Sequence, residues 1–136
     1  MHPRDLKELS TVDSLRRLAS VPIGRIVFTR NALPAIRPVN HIVTGGQIVI
    51  RSGHSAILSV ELAAADVVVA FEADDLDIVE RLGWSVVVTG RAQLVSRSEE
   101  VARYKDLLQP WVAGEMDQVI RIRPEIITGF ELVPVH

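Results

Sequence analysis

The chain contains no cysteine. That excludes disulfides, thiolate metal sites and cysteine nucleophiles. Aromatic residues make up only 4% of it, so Val, Ile, Leu and Ala must supply most of the core. Neither charge is in clear excess: fifteen Lys and Arg against seventeen Asp and Glu give a net charge of −2. The basic surplus or stripe of a nucleic-acid-binding protein is missing. The longest apolar stretches, Val67–Phe71 and Val86–Val88 among them, fall far short of the roughly 18 residues that span a membrane. Met1-His2-Pro3-Arg4-Asp5 leads into a charged segment rather than an apolar one, so no signal peptide is expected and a cytoplasmic location is.

With 136 residues, 48% hydrophobic and 24% charged, the composition is that of one globular domain over 1–136, with 1–9 as an N-terminal extension. The most informative stretch is Leu33–Ser55. Two apolar runs flank Thr44-Gly45-Gly46-Gln47, and paired glycines allow the positive φ of a two-residue hairpin turn. Arg37, Asn40 and His41 lie along the first run, while Arg51, Ser52 and His54 end the second. A hairpin that gathers cations, an amide and hydroxyls suits a bound anion.

Around it, Leu6, Leu9, Val12, Leu15, Leu18 and Ala19 recur at helical spacing, with Ser10 or Thr11 as cap and Pro22 and Gly24 as stop. Arg25–Arg30 alternates as a strand, Asn31–Pro34 reads as a turn, and a second strand runs to about Val43. Pro38 suits an edge or bulge there, because it lacks an N–H. Gln47–Ser52 is a third strand, and Gly53-His54-Ser55 leads into a helix carrying Ile57 to Ala63. Asp66–Ala73 reads as a strand covered on both faces, and Glu72–Asp77 as a solvated loop. Trp84–Val95 is a long strand with Gly90 at a bulge or bend. Ser98–Leu108 is a helix stopped by Pro110, and Gln118–Arg123 and Ile126–Leu132 form a final pair broken by Pro124. This order is not that of a doubly wound parallel sheet. It predicts a mainly β, α+β chain: a six-stranded antiparallel barrel with peripheral helices.

Catalytic constellations are absent by motif: no His-Glu-x-x-His, Gly-x-Ser-x-Gly, P-loop or Gly-x-Gly-x-x-Gly occurs. Arg37 and Arg51 taken singly are ordinary strand arginines with stems on apolar surface. Together with Ser52 and a helix start after Gly53 they fit a phosphate site, since guanidinium forks and helix N-termini both match phosphate oxygens. Asn40 suits the edge of a planar heterocycle or plain solvent. His41 is more often structural than a base. Arg121 and Arg123 share one face of the last strand. Trp84 and Trp111 are packing residues, Trp111 the nearer to a partner.

Four segments carry a resemblance: Val21-Pro22-Ile23-Gly24-Arg25-Ile26-Val27-Phe28, Leu33-Pro34-Ala35-Ile36-Arg37-Pro38-Val39-Asn40, Gly83-Trp84-Ser85-Val86-Val87-Val88-Thr89-Gly90-Arg91-Ala92 and Ile120-Arg121-Ile122-Arg123-Pro124-Glu125. In this order they resemble the pyridoxamine 5′-phosphate oxidase-like family of flavin-binding split barrels, above all its short actinobacterial-type members, over about Leu9 to Leu132. The resemblance implies a homodimer of six-stranded split barrels with two flavin mononucleotide (FMN) sites at the subunit interface. It also implies a flavin-dependent oxidoreductase acting on a small molecule, without nucleic acid or membrane. Arg37, Pro38, Val39 and Asn40 would lie along the isoalloxazine. Arg51 and Ser52, with His54 and Ser55 at the helix start, would hold the phosphate, and Arg121 and Arg123 would approach from the other subunit. The family pattern Arg-Thr-x-x-Gly-Ser-Lys-Leu places a lysine where this chain has Ile57. Two readings stand beside the first: a non-catalytic dimeric module with weak flavin affinity, which Ile57 favours, and a reductase that uses the deazaflavin coenzyme. No side chain is identified as a catalytic acid or base.

Overall fold

Two tight turns set the first half of the fold. Gly45 and Gly46 both have positive φ (59° and 74°), as a type I′ hairpin requires. Asn31 and Ala32 do the same at 50° and 62° in the preceding hairpin. The structure, a computed structural model, describes residues 3–52, 66–109 and 118–135. Its elements are β1 (Asp5–Leu9), α1 (Thr11–Ala19), β2 (Ile23–Arg30), β3 (Leu33–Thr44), β4 (Gln47–Ser52), β5 (Val67–Asp77), β6 (Leu82–Leu94), α2 (Ser98–Leu107) and β7 (Gln118–Val133). The helix expected after Gly53, with His54, Ser55 and Ile57, lies outside the described residues, as do Pro110 and Trp111.

All pairings are antiparallel in the order β1-β7-β4-β3-β2-β5-β6, and a further β6–β7 pairing closes β2 to β7 into a six-stranded ring. Closure removes the free edges that an open sheet would present. The ring is split where one edge of β7 passes from β4, at residues 118–122, to β1, at residues 129–133. The expected split barrel with peripheral helices is therefore the observed fold.

The inward residues alternate along each strand, and Ile26, Ile48, Ile50, Phe71, Val86 and Ile122 are fully buried. Trp84 joins this core, as its packing role requires. Leu18 of α1 is fully buried in the same core. Ser10 caps that helix by accepting the Asp13 N–H at 3.1 Å. A second, smaller core lies outside the ring, where Tyr104 and Leu108 at the end of α2 pack on Val49 and Val119.

Several expectations about elements need correction. Asp66–Ala73 contributes a strand from Val67 on, but Val68 on its outer face is 56% exposed, so it is not covered on both faces. The expected turn Asn31–Pro34 is shorter, because β3 already begins at Leu33. Leu6 and Leu9 do not belong to the first helix: Asp5–Leu9 is an edge strand paired with Gly129–Val133. Over five residues a three-residue spacing of leucines cannot separate the two periods, and the hydrogen-bonding edge of β7 decides. Glu72–Asp77 is no solvated loop but the second half of β5, paired in register with Leu82–Val87. Phe71 and Ala73 point into the core there, while Arg25 of β2 pairs with Glu72 and Asp74 at 2.9 and 3.6 Å. The turn that follows is held by Asp77 Oδ1, which accepts the N–H groups of Val79 and Glu80. Pro124 does not break the last strand in two, because the register shifts beside it, between Thr89 and Gly90, leaving Glu125 as the bulged residue. A side chain at Gly90 would collide with the Arg123 carbonyl, so the expected bulge sits there.

Candidate ligand-binding site

Strand alternation divides the expected site residues between two faces. On β3, Val39 packs on the main core and His41 is 4% exposed, so Arg37 falls on that inward set, solvent-exposed at the strand's outer reach. Pro38 and Asn40 fall on the outward set with Ile42, which packs on the α2 core. His41 N–H bonds the Pro22 carbonyl across β2, so even-numbered residues of β3 turn their backbone away from β2. Pro34 and Pro38 both sit at such positions, where no ladder N–H is lost. β4 pairs only with His41–Thr44, so the expectation of an edge at Pro38 holds among the described residues.

On β4 and β7, Arg51, Arg121 and Arg123 all fall on the outward set, because their neighbours Ile50, Ile120 and Ile122 are wholly buried. Arg37 and Arg51, paired by sequence reasoning, therefore do not converge on one face. Asn40 and Arg51 instead meet the C-terminal end of α2, and Arg121 meets its first turn. Asn40 Nδ2 donates to the Gln109 carbonyl at 2.6 Å, and Arg51 Nη1 donates to the Leu108 carbonyl at 3.0 Å. These carbonyls lie at the helix end, where backbone acceptors lack intrahelical partners. Arg121 Nη1 pairs with Glu100 of α2 at 3.3 Å, and its Nε is buried without a hydrogen-bond partner among the described residues. Arg123 pairs with Asp66 at 3.6 Å on the exposed rim. Ser52 lies opposite Gln118 in the β4–β7 ladder.

Glu100, Asp66 and the carbonyls of Leu108 and Gln109 were not foreseen. Each lies far along the chain from the residue it meets, and nothing local marks it. The donor set, two guanidinium groups and an amide with one buried N–H still unpaired, fits an anionic group such as a phosphate.

Acid–base chemistry has little support here. His41 Nε2 donates to the Leu18 carbonyl at 2.8 Å, and its ring meets Phe71 edge-on at 4.9 Å. Burial pushes His41 below its ordinary value, against the opposing pull of that carbonyl. It is a structural histidine held neutral. Glu72 is pushed up to about 7 by burial and by neighbouring Asp74, but it faces outward on β5, away from the arginines of β4 and β7. Among the described residues no group of three metal-ligating side chains occurs, and no helix is long and apolar enough to cross a membrane.

These features define a small split β-barrel with an arginine-bearing outer face under its second helix. The family model described as pyridoxamine 5′-phosphate oxidase matches residues 10–131, and the chain belongs to that family. The Mycobacterium tuberculosis protein Rv0080 is 56% identical over 133 residues, covering 96% of this chain and 88% of its own. A Corynebacterium glutamicum structure named as a candidate pyridoxamine 5′-phosphate oxidase superposes with a TM-score of 0.82 at 34% identity, covering 100% of this chain and 98% of its own. The FAD-binding protein of Mycobacterium smegmatis gives 0.76 at 31% identity, covering 93% and 98%.

Proposed function

We propose that this chain binds a flavin on the outer face of β3, β4 and β7 and serves as a flavin-dependent oxidoreductase for a small molecule. The observation that carries this reading is the set of donors that Asn40, Arg51 and Arg121 present on one outer face along α2, with the buried Nε of Arg121 unpaired among the described residues. A similar M. smegmatis chain is an FAD-binding protein, which supports the same class of cofactor. FMN is the flavin that the sequence resemblance implies. A bound flavin would supply the redox chemistry, while the protein orients the ring and tunes it by hydrogen bonds. Arg51 and Arg121 would hold phosphate oxygens, and Asn40 would face the ring or its ribityl chain. Two copies of the chain would complete two such sites.

A second reading has a specific observation behind it. Asn40, Arg51 and Arg121 each already have a partner within the chain, and Ile57 replaces the family's lysine. On that reading the protein is a dimeric binding module with weak flavin affinity. Visible absorption of the purified protein, followed by titrations with FMN, FAD and the deazaflavin coenzyme, separates the readings. Saturable binding of FMN or FAD supports the first, and saturation by deazaflavin alone would move the assignment to a deazaflavin reductase.

A further inference from the structure

β3 runs on past the start of β2, and the edge it leaves open there faces a hollow. Pro22 stands opposite His41, and its carbonyl accepts the His41 N–H at 3.0 Å. The reciprocal bond of such a pair needs an N–H on residue 22, and proline has none. The His41 carbonyl is therefore left without its ladder donor. Two residues on, Val43 turns its N–H and carbonyl to the same side, because Ile42 and Thr44 are the residues that bond β4. Ser20 is next in line to meet Val43, but its N–H closes the end of α1 on the Arg17 carbonyl at 3.0 Å. Among the described residues these Val43 groups are unpaired.

The hollow beside this edge measures about 400 Å³ and is lined by residues 19–22 and 41–43. Ala19, Val21, Pro22 and Val43 give it apolar walls, while the strand edge presents an acceptor, a donor and an acceptor in order. Ser20 also lines a second hollow of about 310 Å³, around which stand Lys7, Arg16 and Arg17. The two hollows thus adjoin at Ser20. Arg17 is engaged by Glu131 at 2.9 Å and Arg16 by Asp13 at 3.5 Å, and Lys7 has no ion pair among the described residues. Three cations against two carboxylates suit a phosphate.

A flat ring in the first hollow must offer a donor to the His41 carbonyl and an acceptor to the Val43 N–H. Adenine does so through its amino group and the ring nitrogen beside it. Guanine and hypoxanthine carry a carbonyl oxygen in place of that amino group and would set acceptor against acceptor. β3 enters its hairpin after Thr44, so the open edge is too short to take up a strand of ordinary length.

We propose that the adjoining hollows form a site for an adenine nucleotide, with the base on the open edge of β3 and the phosphate at Lys7, Arg16 and Arg17. The site uses none of the residues assigned to the flavin and does not depend on that reading.

Nuclear magnetic resonance titration of the full-length chain tests this. AMP should shift the amides of Val43 and of residues 19–21 saturably, with a dissociation constant below about 1 mM. IMP should bind at least about tenfold more weakly. Val43→Pro removes the N–H that faces the hollow and no bond to β4, so AMP affinity should fall about tenfold or more. Lys7→Ala and Arg16→Ala, both at exposed positions, should each weaken AMP severalfold and leave adenosine binding unchanged. The adenylate unit occurs free and within dinucleotides, and a parallel titration with NADH distinguishes the sources. Saturation by both marks a dinucleotide, and saturation by AMP alone marks a free nucleotide. No saturable shift with AMP, shifts away from residues 19–21 and 43, equal binding of IMP, or unchanged AMP binding in Lys7→Ala and Arg16→Ala would overturn the proposal. Flavin titrations are read separately, so that outcome leaves the flavin reading standing.

Discussion

Arg51 Nη1 donates to the carbonyl of Leu108 at 3.0 Å, and Asn40 donates to the next carbonyl, that of Gln109, at 2.6 Å. Two residues expected to meet a ligand thus also fasten the end of α2 to the barrel. Replacing Asn40 by Ala should loosen that end by about 1 kcal/mol, the usual net worth of a hydrogen bond. Hydrogen exchange at the amides of residues 107–109 should quicken severalfold, with the barrel strands unchanged.

Arg51→Ala removes a charge-assisted donor as well as the anchor. Flavin affinity should fall roughly 10- to 150-fold, the equivalent of about 1.5–3 kcal/mol. Isothermal titration against FMN and FAD measures it. Unchanged affinity would mean that the phosphate lies elsewhere.

Ile57→Lys introduces, in the segment after β4, the lysine that the sequence resemblance implies at this position. By the same charge-assisted magnitude, it should strengthen flavin binding about tenfold or more. The same titration reads the gain.

His41 makes a pH prediction whose sign follows from its environment. Its folded-state value lies below 6.5, so the unfolded chain binds the proton more readily. Its contribution to stability is complete above about 6.5 and is lost as pH falls below that. Urea unfolding at a series of pH values should show this decline in the native chain. His41→Gln, which cannot titrate, should remove that part of the slope.

Ala32 holds a φ of 62° in the β2–β3 turn, a region that costs an L-residue with a Cβ about 1–2 kcal/mol. Ala32→Gly should therefore stabilise the protein by up to about 1 kcal/mol after the larger unfolded-state entropy of glycine is offset. Thermal unfolding gives the comparison.

The parts of the fold legible in the sequence were those fixed by local chemistry. Gly45-Gly46 dictated its hairpin, the apolar run Ile48-Val49-Ile50 bounded by that turn marked a strand, Pro38 marked an edge and Gly90 a bulge. What escaped was decided at a distance. Asp5–Leu9 is a strand because β7 offers it an edge, and Glu72–Asp77 stays extended because β6 pairs along its whole length. The site divides in the same way. Arg51, Asn40 and Arg121 were visible as donors, and Arg121 with Arg123 as one face. Their separation from Arg37 depends on the faces set by the closed barrel, and Glu100 and Leu108 reach them only once α2 has folded over β4 and β7.

Flavin binding at the arginine-bearing face is the central claim, and a fluorescence-quenching titration of the purified native chain with FMN tests it most directly. Saturable quenching with a dissociation constant below about 100 μM, weakened in Arg51→Ala, is the predicted result. Absence of saturable quenching up to that concentration, with FAD giving none either, would contradict it.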